Sequence, residues 1–363
     1  MVQRQGVLAG AAPSRAVTPP KEEVPWRAVL VPFVVSRIFS DALLCVMARV
    51  RGRDVILGGF RRWDGRWYSW IAAHGYDAIP HAQHHQTPWP FFPLLPAAMR
   101  GVSGFGVSIP VAGVLVNHIA FFVALVGIQR IAARHTSARG ASIAVWVTAL
   151  GPFAFVFSMV YPSALFLAAS VWAFVFVEDD RDLAAGAAAA IAVLARPNGL
   201  IVVVVLVFVV RHEWRRIVRV AGPAAVGFLA WMAYNGARTG DVTRFLDAKR
   251  AWREVDVGAL LRHPTTNPTF HLVVAGVAFG LVYAARRAIP RSWTWFTGLY
   301  LAPSLLLGIV GMGRYATDTF PPMVSAGVLL AHRTRRTITT ILVALAAAQV
   351  ICAFFYIARP SVI

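Results

Sequence analysis

The sequence predicts an all-α polytopic membrane protein with about ten or eleven transmembrane helices. Three observations carry this. Of the 363 residues, 58% are hydrophobic and the mean hydropathy is +0.63. Charged residues make up only 14%, against about 25% in a typical soluble domain, too few to cover a water-facing surface. The arginines also fall in short clusters between apolar runs, as the positive-inside rule expects of cytoplasmic loops. For the same reason the net charge of +19 does not indicate nucleic acid.

Residues 1–25 carry Arg4, Arg15 and Lys21 among Pro, Ser and Gly and read as a disordered cytoplasmic tail without signal-peptide order. The rest, 26–363, reads as one transmembrane domain. A helical span needs about 20 apolar residues. The first candidate is Trp26 to Val50, followed by a long loop from Arg51 to Val107. Ile109 to Ile128 is the second span, and a basic loop with Arg130, Arg134 and Arg139 follows it. Ser142 to Val160 is the third. A short turn at Tyr161-Pro162 leads into the fourth, which ends near Val177 before the acidic loop Glu178 to Asp182.

Two apolar runs come next, Leu183 to Ala195 and Leu200 to Val210. Arg196-Pro197-Asn198-Gly199 separates them, because Pro and Gly interrupt a helix and an intramembrane Arg needs a polar partner. They read as a hairpin of two short helices lining a cavity. Further spans are Val220 to Tyr234, His271 to Ala285, Trp293 to Val310, Phe320 to Ala331 and Ile338 to Ile357. With the N-terminus in the cytoplasm and the hairpin counted as two passes, most dense basic loops fall inside: Arg130/Arg134/Arg139, Arg211/Arg215/Arg216/Arg219, Arg286/Arg287/Arg291 and Arg333/Arg335/Arg336. Residues 51–107, 235–270 and 311–319 then lie outside. The first of these loops is itself Arg-rich, which suits an anionic headgroup or a lipid phosphate bound through the planar guanidinium fork.

The densest chemical signal lies there, from Phe60 to Ile71. At 100° per residue Phe60, Trp63, Trp67, Trp70 and Ile71 share one face, with Arg62, Arg66 and Ser69 opposite. That pattern predicts an interfacial helix with its aromatics in the lipid boundary and its arginines in water. Asp64 sits at the edge of the apolar stripe, beside Arg61 and Tyr68. It can meet a lipid headgroup as a general base; the plainer alternative is a local pair with an arginine. Trp89 to Pro96 predicts short apolar elements. Arg244, Asp247, Lys249, Arg250, Trp252 and Arg253 predict an amphipathic surface segment. His81, His84 and His85 lack an acidic or thiolate partner nearby and read as a polar loop, not a metal site. Cys45 and Cys352 lie inside apolar runs. No phosphate-binding loop, dinucleotide fingerprint or metalloprotease motif is present, which excludes an NTP-driven machine.

Trp63-Asp64-Gly65-Arg66-Trp67-Tyr68, His74-Gly75-Tyr76 and Phe91-Phe92-Pro93-Leu94 resemble the first luminal loop of the PIG-V-like mannosyltransferases, members of the GT-C glycosyltransferase superfamily. Ala195-Arg196-Pro197-Asn198-Gly199 and Arg314-Tyr315 with Phe320-Pro321 resemble later landmarks of that family. The resemblance implies a GT-C-like bundle and an inverting transfer of a sugar, mannose, from a polyprenyl-phosphate donor. It implies Asp64 as the catalytic residue, and substrate or donor-phosphate binding by Arg61, Arg62, Arg66, Tyr68, Arg196, Arg314 and Tyr315. It implies no cofactor and leaves divalent-metal dependence open. The Ala-, Val-, Arg- and Gly-rich composition points to a high-GC, actinobacterial source and hence to a cell-envelope glycolipid, polysaccharide or protein as acceptor. The family often carries Tyr-x-Glu after its third helix, where this chain has Tyr161-Pro162-Ser163. A transporter of lipid-linked sugars and a noncatalytic binder are the alternatives.

Overall fold

The computed structural model describes residues 25–77, 86–250, 266–307 and 311–358. The expected tail, His81, His84 and His85, and Trp252 and Arg253 lie outside these residues. All regular structure among the described residues is helical. Four helices are long and apolar enough to cross a membrane: α1 (Trp26–Val50), α4 (Ile109–His135), α9 (Trp214–Thr239) and α15, apolar over Arg335–Ile357 within Arg335–Ala358. The short helices of the first loop are α2 (Asp64–His74) and α3 (Leu94–Ser103). Shorter helices fill the bundle: α5 (Ala138–Leu150), α6 (Ser163–Glu178), α7 (Asp182–Ala195), α8 (Gly199–Val209), α10 (Arg244–Arg250), α11 (Thr266–Ala285), α12 (Arg291–Leu307), α13 (Met312–Thr317) and α14 (Phe320–Leu330).

The expected third span stops early. Gly151-Pro152 ends α5 at Leu150, since a residue before proline is pushed out of the helical region. Residues 153–162 then run as irregular, fully buried backbone with one short 3₁₀ turn, Ala154–Phe157. Polar backbone at such depth must find partners inside the protein. Arg37 of α1 supplies one: its guanidinium donates to the Ala154 carbonyl at 3.3 Å, and also holds the Ser158 side chain through Oγ at 2.6 Å. Asn117 of α4 donates to the Met159 carbonyl, and the Val160 N–H to the Phe60 carbonyl at 2.9 Å. Two spanning helices thus fix the segment that delivers Tyr161 and Ser163 to the interior. The chain also breaks at Arg196-Pro197-Asn198, between the short helices α7 and α8, as the sequence predicts.

The four basic clusters meet at one end of the bundle. Arg130 and Arg134 pair with Asp179, Arg134 also with Glu178, and Arg216 with Asp180 and Asp182. Arg139 donates to the Arg333 carbonyl at 2.7 Å. The ring of Trp293, two residues into α12, lies 4.6 Å from that of His135, which brings Arg291 to the same end.

Helices α5 and α14 cross in close contact at Gly140 and Gly327. A Cβ on either glycine would strike the other's carbonyl, the small-residue packing by which membrane helices approach. Gly327→Ala is therefore expected to destabilise the fold by about 1–3 kcal/mol, the cost of overpacking. Gly276→Ala, where nothing stands in the way, should be neutral or slightly stabilising. Thermal unfolding of the two purified variants in detergent checks the pair.

Candidate functional site

The structure corrects the predicted face of the first-loop helix. Helix α2 begins at Asp64, so Phe60, Arg61 and Arg62 are not on it. Trp63 has φ +54°, in a region non-glycine residues rarely occupy, and this breaks the 100° register. Trp67 is buried and stacks on Phe91 at 5.6 Å, inside the protein and not in lipid. Arg62 and Ser69, expected in water, are 4% and 5% exposed. The loop bearing Phe91 and Phe92 folds over α2, and that tertiary contact overrides the amphipathic pattern. Gly65 makes the approach possible: a Cβ there would crowd the Val160 carbonyl and the Val160 side chain.

Asp64, first residue of α2, pairs with Arg314, 250 residues away in sequence. Arg314 Nη1 donates to Asp64 Oδ2 at 3.0 Å, and its guanidinium lies over the Tyr161 ring at 4.7 Å. The Asp64 side chain keeps 34% of its surface open against 16% for Arg314, so a substrate can reach the carboxylate. The partner is thus an arginine remote in sequence and not a local one, the plainer alternative. Arg61 lies in the field of Arg66 and Asp54 instead.

Arg314 sits on α13, whose Gly313 N–H donates to His271 Nδ1 at 3.0 Å. One turn on, Asp318 caps the same helix through its own N–H. It is fully buried and forms a second ion pair, with Arg196 at the α7–α8 break. Arg196 also donates to Tyr300 Oη at 2.9 Å and to Ser163 Oγ at 3.1 Å. Ser163 in turn donates to Asp318 Oδ2 at 3.4 Å. The Tyr315 ring lies 5.4 Å from the Arg314 guanidinium and 5.7 Å from that of Arg196. Tyr68, one turn along α2 from Asp64, feels the charges of Asp64, Arg196 and Arg314. Five predicted residues, Asp64, Tyr68, Arg196, Arg314 and Tyr315, are therefore gathered around two ion pairs.

Arg62 lies near the Tyr161 and Tyr356 hydroxyls at the edge of this group. The Tyr161 and Tyr356 hydroxyls are hydrogen-bonded to each other, and Tyr356 lies in the field of Arg314, Asp64 and Arg62. Arg62 Nε and Nη2 are buried without an acceptor among the described residues. Burial pushes the guanidinium pKa down to about 10, helped by Arg53; it is still charged at neutral pH. A desolvated cation with two idle donors is costly unless an anion meets it. Arg66 is half-exposed, and the structure places neither it nor Arg61 against Asp64.

Sequence reasoning missed Tyr300 and Tyr356, which lie in apolar runs that look like core. Five of the eight tyrosines, at 68, 161, 300, 315 and 356, converge here. The site lies far from the basic clusters. Helix α15 starts at Arg335 among them and brings Tyr356 to the site, about 32 Å away at 1.5 Å per residue.

No family model matches the chain, and no curated protein is similar to it. Solved structures are. The crystal structure of ArnT from Cupriavidus metallidurans bound to undecaprenyl phosphate superposes with a TM-score of 0.56 at 16% identity, over 88% of this chain and 63% of that one. The Archaeoglobus fulgidus oligosaccharyltransferase, in complex with Zn and sulfate, gives 0.51 at 14% identity, over 90% and 53%. The chain thus spans less than two thirds of either protein's length. At such identities the likeness is one of architecture, and the chain has the GT-C-like polytopic helical membrane fold.

Proposed function

We propose that this protein is a membrane glycosyltransferase that moves a sugar from a polyprenyl-phosphate donor to a cell-envelope acceptor. The observation that carries the reading is the open carboxylate of Asp64, held by Arg314, together with the buried Arg62 guanidinium near the Tyr161–Tyr356 pair, whose Nε and Nη2 have no acceptor among the described residues. The likeness to a fold seen with undecaprenyl phosphate supports it. Asp64 accepts the proton of an acceptor hydroxyl as that oxygen bonds to the anomeric carbon. The bond from carbon to phosphate oxygen breaks with inversion, and the leaving polyprenyl phosphate carries away the electron pair. Arg62 binds the developing charge through Nε and Nη2. Arg314 keeps Asp64 in place through Nη1 and offers the phosphate its Nε, which also lacks an acceptor among the described residues. Mannose as the sugar rests on the first-loop resemblance. The basic clusters at the opposite end support, under the positive-inside rule, an extracytoplasmic position for Asp64.

The test is transfer by the purified protein from polyprenyl-phosphate mannose to a membrane lipid extract. Labelled sugar is expected in a new product, with free polyprenyl phosphate released. Movement of intact donor lipid across a vesicle without transfer would favour a transporter. Saturable donor binding with neither would favour a noncatalytic binder.

A further inference from the structure

Asp318 belongs to no motif singled out in the sequence, yet it is the most enclosed charged group of the site, 0% exposed. Both interactions it receives fall on one oxygen: Arg196 and Ser163 donate to Oδ2. Oδ1 is buried and has no donor among the described residues. A carboxylate offers about four acceptor positions, and a buried oxygen left unmet is unusual. Its placement gives the direction. Asp318 is four residues beyond Arg314 on the α13 turn, so both side chains leave the same face, about one helical turn apart. Ser163, first residue of α6, touches Asp318 through its hydroxyl.

We propose that Asp318 is a substrate-binding residue, whose Oδ1 accepts a hydrogen bond from a hydroxyl of the sugar carried on the donor. This rests on the glycosyltransferase reading. A phosphate bound by Arg62 and Arg314 puts its sugar on the Asp318 side of the α13 face, one ring's width along. Asp64 remains for the acceptor hydroxyl. Arg196, bonded to Asp318, Ser163 and Tyr300, is then the counter-ion that keeps Asp318 charged and oriented, and phosphate binding falls to Arg62 and Arg314.

The experiment compares two ligands on the full chain in detergent: polyprenyl-phosphate mannose and polyprenyl phosphate without sugar. Asp318→Asn is expected to weaken the sugar-bearing lipid at least about tenfold, as loss of a charge-assisted hydrogen bond does, and to leave the bare phosphate lipid unchanged. Because that variant strands Arg196, the double variant Arg196→Gln/Asp318→Asn is measured beside it. With no buried charge left unpaired, it should fold and show the same selective loss. Single-deoxy donors add a readout that a structural role would not move. One deoxy position should weaken binding to the native chain and have no further effect in Asp318→Asn. Equal weakening of both lipids, or native binding of both by a folded variant, would overturn the proposal and leave a water as the partner of Oδ1. Failure of the native chain to bind either lipid would instead overturn the glycosyltransferase reading, and this proposal with it.

Discussion

Asp64→Asn is expected to lower sugar transfer by about 10²–10⁴-fold, the usual range for loss of a positioned general base. The amide keeps the size of the side chain, and its oxygen still accepts from Arg314 Nη1, which lies 3.0 Å from Asp64 Oδ2. Geometry should persist while the proton acceptor is gone. The donor should bind at least as tightly, because Arg314 no longer shares its charge with a carboxylate and is freer to meet phosphate. The loss therefore belongs in kcat and not in the donor KM. Steady-state kinetics with polyprenyl-phosphate mannose separates the two, and native turnover in the variant would remove Asp64 as the base.

Arg62→Met carries the second large effect, with opposite signs in two measurements. In the lipid-free protein Arg62 is a buried charge whose Nε and Nη2 lack acceptors among the described residues. Replacing it with an apolar side chain of similar length should stabilise that state by about 1–3 kcal/mol. Affinity for polyprenyl phosphate should fall about 10–100-fold, as loss of hydrogen bonds to a charged group does. A thermal midpoint that rises as lipid binding weakens is the expected pattern. A midpoint that falls would mean Arg62 is structural, held by partners within the protein.

Sequence made much of this legible, unevenly and for physical reasons. Hydrophobic runs located the helices because lipid imposes length and apolarity. The Arg196-Pro197-Asn198 break was readable because proline and a lone intramembrane arginine leave few alternatives. The face of α2 was not, since a helical template assumes continuous backbone and Trp63 interrupts it at φ +54°. Asp64 and Arg314 each stood out locally. Their pairing across 250 residues has no local signal, because it is set by how α13 packs against His271 and α2 against Val160. Tyr356 was invisible, as one hydroxyl in a long apolar run carries no periodicity of its own.

The hydrogen bonds from Arg53 to the Ile357 carbonyl at 2.8 Å and from Trp63 to the Tyr356 carbonyl at 3.2 Å join the first loop to the far end of α15. Trp63 and Tyr356 are 293 residues apart. A ribosome adding about 5–20 residues per second needs about 15–60 s to make that stretch. Throughout that interval the nascent first loop lacks both of these carbonyl acceptors. The first loop can therefore take up its final packing only once α15 has been inserted.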